Sequence, residues 1–333
     1  MVGVGVAVVA SLLATSCSDD DGSAKSLTIY SGRSEELVKP LIDQFEDESG
    51  IDVEVLYSDS ADLARQIEQE GDNSPADLFF SQAPGSLGFL DDLGSFQALP
   101  SEILDQVEPQ YRSSEGDWVG ISGRVRVLVY DPERTPEDTL PASVLDLADP
   151  EFAGKVGVAP TNASFQDFIS FLRIELGDDK TQLFLNGLVE NGARTYPNNL
   201  TIVEAVGRGE IDFGLVNNYY NEQLRAQDSS LTTENHYFPN GDPGSLVLVS
   251  GAAILQTSDH VDEATRFIDF LLEQQTQEYF ANETFEFPLV AGVNPSGGQL
   301  PLDQVASITA NLTLLGQRLG STIAMIEGSG LVG

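Results

Sequence analysis

The residues best equipped for chemistry are two adjacent tyrosines, Tyr219 and Tyr220, set behind two asparagines at the end of an apolar run. A protonated phenol is a poor ligand, with a pKa of ~10. A hard trivalent cation displaces that proton, and phenolate oxygen then suits it well. Ile211 to Val216 read as a buried strand and Asn217-Asn218 as turn chemistry. Open α/β sheets bind ligands at the carboxyl ends of their strands, so the tyrosines stand at a ligand-facing position. Neighbours in a strand point to opposite faces, and both oxygens reach one ion only if the backbone turns at the Asn pair. Alternatively the two rings pack an interface or stack on a sugar.

A second candidate is the loop Pro160-Thr161-Asn162-Ala163-Ser164, which opens an amphipathic helix over Phe165–Leu176. Free N–H groups and the positive end of the helix dipole suit an anion there. Asn162 or Ser164 acting as a plain N-cap explains the same residues. Arg124 and Arg126 share one face of a long strand reading, Trp118 to Tyr130, and can flank an anionic ligand.

The elements that must position these groups alternate. Strands at Leu27–Tyr30, Ile51–Val55 and Ala76–Phe80 are separated by helices following Ser34 (which can cap the first) and over Ala61–Glu70. That β-α-β-α-β order predicts a parallel sheet covered by helices. The Trp118–Tyr130 segment is much longer than the usual ~5–6 residues and reads as a crossing between two lobes. A second α/β unit follows, with a strand at Lys155–Ala159, a helix at Thr181–Glu190, a short strand at Arg194–Tyr196 and a helix at Ile202–Val206. A second long apolar strand, Gly244–Leu255, returns to the first lobe, and helices are expected at Val261–Leu272, Gln274–Phe280, Val305–Leu315 and Gln317–Ile326.

The chain has 333 residues, 41% of them hydrophobic, with 53 acids against 16 bases and a formal net charge of −37. The length allows two domains. The charge excludes nucleic acid and anionic membrane as electrostatic partners, since both need a basic face. The acids are spread along the chain, as in adaptation to salt, and are not grouped as ligands. The two histidines, His236 and His260, fall in separate segments outside any zinc-protease or serine-hydrolase pattern, and no phosphate-binding Gly-Lys-Ser/Thr loop occurs. An enzyme is not expected.

Val2 to Ala14 is an apolar run too short to span a bilayer, which needs ~20 residues. It leads through Leu13-Ala14-Thr15-Ser16 to the single cysteine, Cys17, and a polar tail. This resembles a bacterial lipoprotein signal, so residues 1–25 are expected to form an export leader, lipid anchor and tail, placing the protein in the periplasm or on the outer face of the cytoplasmic membrane.

Several blocks, in order, resemble the periplasmic ferric-ion-binding proteins of bacterial ABC importers. They are Ile29-Tyr30-Ser31-Gly32-Arg33-Ser34, Glu70 to Asp77, Ser122-Gly123-Arg124-Val125-Arg126, Asn217-Asn218-Tyr219-Tyr220, and Asp242-Pro243-Gly244 with Ser250-Gly251-Ala252-Ala253. The resemblance implies a two-lobed α/β fold of the type II periplasmic-binding class, with mixed sheets, a hinge of crossing strands and closure on ligand. Lobe one is expected over 26–123 plus 247–285, and lobe two over 124–246 plus 286–333.

The resemblance further implies that Tyr219 and Tyr220 ligate Fe(III) and that Asn162, Ala163 and Ser164, with Asn199 and Asn217, hold a synergistic anion such as carbonate or phosphate. The implied partners are an ABC permease and its ATPase, serving a monomer attached to the membrane only by lipid. The chain departs from the family at two ligands, with Ser34 where many members have His and Gln82 where they have Glu. Tyr196 is a third candidate phenolate, and Arg33 and Tyr30 are placed near the cleft. The alternative on the same fold is a small organic or oxyanion ligand of phosphonate, thiamine or polyamine type, without metal.

Overall fold

The computed structural model describes Met1 and residues 25–239, 241–305, 308–309 and 311–332. The apolar leader and Cys17 lie outside these residues. The strands are β1 (Ser26–Ser31), β2 (Asp52–Tyr57), β3 (Leu78–Ser81), β4 (Val119–Tyr130), β5 (Val156–Val158), β6 (Arg194–Thr195), β7 (Phe213–Asn217), β8 (Glu234–His236), β9 (Leu246–Ile254), β10 (Phe287–Pro288) and β11 (Ile308–Thr309). The helices are α1 (Glu35–Ser49), α2 (Ser60–Glu70), α3 (Pro84–Asp92), α4 (Ser101–Leu104), α5 (Ala163–Leu176), α6 (Asp178–Glu190), α7 (Asn199–Gly207), α8 (Asn218–Gln227), α9 (Val261–Leu272), α10 (Gln274–Asn282), α11 (Leu302–Val305) and α12 (Leu312–Ser329).

The sheet runs β2-β1-β3-β9-β4-β7-β5-β6. β1 pairs in parallel with β2 and β3, and β5 in parallel with β6 and β7, as the alternating pattern requires. Between these two parallel groups, β9 and β4 run antiparallel. β4 is the crossing segment. Val119 to Val125 pair with β9, and Arg126 to Tyr130 then pair with β7. Every residue of β4 and β9 is buried, which is why both read as long, largely apolar runs, broken by Ser122, Arg124 and Arg126 in β4 and by Ser250 in β9, with glycines where neighbours press close.

Two local expectations change, and one helix is added. Ser34 sits at the start of α1 but makes no capping bond through its side chain. The stretch after Gln82 forms α3, begun by Pro84 at its first position. The single helix expected at Val305–Leu315 is instead α11, β11 and the start of α12. β11 runs parallel to β9, Ile308 beside Leu246, so an available sheet edge overrides the helical spacing.

α12 packs on both α3 and α5. Gly316 permits the first contact, because a Cβ there would lie 2.3 Å from Phe89 N and 2.4 Å from Gly88 C. Arg173 of α5 makes the second, donating to Ser321 Oγ at 2.8 Å and Thr322 Oγ1 at 2.9 Å.

Candidate functional site

The strand–helix junction at residues 217–218 builds the centre of the site. Asn217 ends β7, and α8 begins at Asn218 with no intervening turn, which places Tyr219 and Tyr220 on the first turn of a helix. The Asn pair therefore anchors the junction and does not act as a loop. Asn217 Oδ1 accepts from Arg126 Nη1 at 3.1 Å. Asn218 Oδ1 accepts from Val125 N at 2.9 Å, and its Nδ2 donates to Gln299 Oε1 at 2.7 Å. Successive helical positions diverge by ~100°, less than the ~180° of a strand, so both rings stay on one side. Their centroids are 4.2 Å apart and their planes 34° apart.

Tyr219 is buried at 3% exposure. Burial pushes its phenol well above the ordinary value, the neighbouring Tyr220 adds to this, and the Arg124 charge opposes it. A cation that binds Tyr219 must therefore displace the proton of its phenol. Gln82 Nε2 reaches it from the opposite wall, donating to Tyr219 Oη at 3.5 Å.

Both walls line one cavity of about 640 Å³, with Ser34 and Gln82 on one side and Asn162, Arg124, Tyr219 and Tyr220 on the other. Ala163, Ser164 and Asn217 also line it, while Asn199 sits behind Asn162. Asn162 caps α5, its Oδ1 accepting from Ser164 N at 3.1 Å, Ser164 Oγ at 2.6 Å and Asn199 Nδ2 at 3.2 Å. Capping and cavity lining are thus roles of the same loop. Arg126 is likewise occupied, by Asn217, Ser164 Oγ at 3.2 Å and Leu215 O at 2.9 Å.

Arg124 differs. It is 1% exposed, lines the cavity, and none of its three guanidinium nitrogens has a hydrogen-bond partner among the described residues. Burial lowers its pKa, against the pull of Tyr219, Glu286 and Asp167. A buried charge without a partner is costly, and an anion in the cavity is what would satisfy it.

Three residues placed near the cleft by sequence lie elsewhere. Arg33 is buried behind it, donating to both oxygens of Glu286 at 2.7 and 2.5 Å, with its guanidinium 5.8 Å from the rings of Phe80 and of Phe280. Tyr30 donates to Glu70 Oε1 at 3.0 Å, and burial pushes its phenol up to about 12. Tyr196 packs across Gly157 in the apolar cluster of Ile202 and Ile211, while Pro197 and Asn198 reach the cavity in its place. Tyr196 N donates to Val158 O at 2.9 Å, which extends the edge of β5 and turns the ring into that cluster. Among the described residues no group of three or more His, Cys, Asp or Glu could hold a metal.

A family model described as bacterial extracellular solute-binding protein matches residues 73–301. The chain belongs to that family. It is 34% identical over 301 residues to the Fe(3+)-binding periplasmic protein of Serratia marcescens, covering 89% of each chain. The structure of iron-bound HitA from Pseudomonas aeruginosa is 33% identical and superposes with a TM-score of 0.87, over 92% of this chain and 99% of that one. A Trichodesmium protein solved with iron and citrate ligands is 26% identical, with a TM-score of 0.79 over 92% and 99%. The resemblance read from the ordered motifs agrees with these relatives, and the two-lobed mixed α/β fold is theirs. Among the described residues no helix is long and apolar enough to cross a membrane.

Proposed function

We propose that this family member captures Fe(III) through the phenolates of Tyr219 and Tyr220, with an anion held by Arg124, and delivers it to an ABC permease and its ATPase. The observation that carries the reading is the pair of closely set, mutually tilted tyrosines facing a cavity beside an arginine with no hydrogen-bond partner among the described residues. Two phenolates leave one of the cation's three charges uncompensated, and Arg124 adds another. A divalent anion balances the two, and carbonate or hydrogen phosphate fits; the citrate of the Trichodesmium relative is likewise an oxygen-donor anion. Ser34 and Gln82 act as neutral hydrogen-bonding groups in this scheme, and ligand or water oxygens complete the iron shell.

The lobes that close on iron are taken as 26–123 plus 247–285 and 124–246 plus 286–333, supported by the change of partner along β4 between Val125 and Arg126. The protein acts as a binding protein and not an enzyme, as an exported monomer tethered through Cys17. The decisive experiment is a visible absorption titration of stripped protein with chelated Fe(III), with and without phosphate or carbonate. A phenolate-to-iron band saturating at one iron per chain is expected, with anion dependence. No band and no protection against heat by iron refutes it.

The 640 Å³ cavity and the free Arg124 also fit an organic or oxyanion ligand without metal, of phosphonate type. Mass spectrometry of what co-purifies separates the two readings.

A further inference from the structure

We infer that Asp167 is a proton switch on cleft closure: in mildly acidic solution the protein takes up a proton at this carboxylate when the two walls meet over bound iron. The inference rests on the ferric reading above and assigns a role to a residue outside the cavity lining.

Asp167 lies one turn into α5, the helix that starts at the cavity residues Asn162 to Ser164. It faces Gly85, in the first turn of α3, the helix that starts beside the cavity residues Gln82 and Ala83 of the opposite wall. The contact is made where the walls join, beneath α12, which packs on both helices, and in the inferred motion the parting of the walls draws α3 from α5 and wets the carboxylate. In the joined state Asp167 is 1% exposed. Its Oδ1 occupies the space beside Gly85, where a Cβ would come within 2.3 Å of it, and the Gly85 N–H supports it. Its Oδ2 has no hydrogen-bond partner among the described residues. The charged group that acts on it is Arg124 of β4; α3 offers the Gly85 N–H, and α12, which packs on α3 and α5, holds its Arg318 3.8 Å from Asp178.

Burial drives the carboxyl up to about 7, against the opposing Arg124 charge and the Gly85 hydrogen bond. When the walls part, the group returns towards the ordinary carboxylate value of ~3.9. The sign follows from linkage. The state with the higher pKa binds the proton, so closure takes one up between those two values and is disfavoured as pH rises through the upper one. An anion on Arg124 weakens the charge that favours ionised Asp167, which extends the window upward. Ligand capture and protonation of Asp167 thereby reinforce each other through Arg124.

The test is calorimetric titration with ferric nitrilotriacetate in two buffers of different ionisation enthalpy, at pH 5.5 and 8.5, for wild type and Asp167→Asn. At pH 5.5 the wild type is expected to release about one proton fewer than the variant, and at pH 8.5 about the same number. Equal counts at pH 5.5, with the iron band present in both proteins, overturn the assignment and leave the ferric reading intact. Absence of the band in both removes that reading and this inference with it. Should the variant not fold, the infrared difference spectrum of wild type on iron loading at pH 5.5 decides. A new protonated-carboxyl stretch supports the switch, and its absence refutes it.

Discussion

Replacing Arg124 by Met removes a buried positive charge while keeping most of the side chain's length. Two opposite effects follow from the same fact. Arg124 has no hydrogen-bond partner among the described residues, so in the empty protein its three nitrogens are desolvated without return. An unsatisfied buried polar group costs about 1–3 kcal/mol, and attraction to Glu286, with Asp167 where it is ionised, recovers part of the larger cost of a full charge. R124M should therefore raise the melting temperature of the empty protein, by roughly 2–6 °C for a gain of that size. The anion loses its charge-assisted hydrogen bonds, worth about 1.5–3 kcal/mol, which corresponds to a roughly 10- to 150-fold weaker anion-dependent affinity. Differential scanning calorimetry of stripped protein and the visible titration against phosphate measure the two halves. A variant that melts lower than wild type, or whose iron band keeps its full phosphate dependence, refutes the assignment of the anion to Arg124.

Tyr219→Phe combined with Tyr220→Phe should abolish the visible band and iron protection while leaving the fold intact, since neither hydroxyl supports the core; the same titration checks this. Glu286→Gln strands the buried Arg33 charge, and breaking such a pair costs about 3–5 kcal/mol. Burial pushes the Glu286 carboxyl up, but Arg33 outweighs this and leaves it below its usual value, so its contribution is present above the unfolded pKa of ~4.3 and is lost as pH falls through the folded one. Acid unfolding of E286Q should accordingly be flatter below pH ~4 than that of wild type. Gly316→Ala puts a methyl against the backbone of α3, where no side chain can swing aside, and should cost about 1–3 kcal/mol in thermal unfolding; an unchanged melting temperature would show that α12 shifts freely.

The elements legible in the sequence were those whose pattern is local. The alternation from β1 to β3, the apolar lengths of β4 and β9, and the helix begun by Asn162 all followed from spacing and capping chemistry. α3 escaped because Pro84-Gly85-Ser86-Leu87-Gly88 carries turn residues, yet it buries them against α12 and β9. β11 escaped because its pairing depends on an edge of β9 presented by the fold. Tyr196 illustrates the limit for side chains: residue type suggested a ligand, and strand register turned the ring into an apolar cluster.

By itself the sequence determined that Tyr219 and Tyr220 stand at a strand's end, and that a capped loop at Asn162 is close enough in kind to hold an anion. Side-chain chemistry and short-range periodicity suffice for that. Only the tertiary structure decided that the tyrosines ride the first turn of a helix, that Arg126 is consumed by Asn217 and Ser164, and that Arg124, two residues away, is left without a hydrogen-bond partner among the described residues. The two arginines share a strand face and a residue type. What separates them is which elements pack against each, and that is fixed only when distant parts of the chain meet.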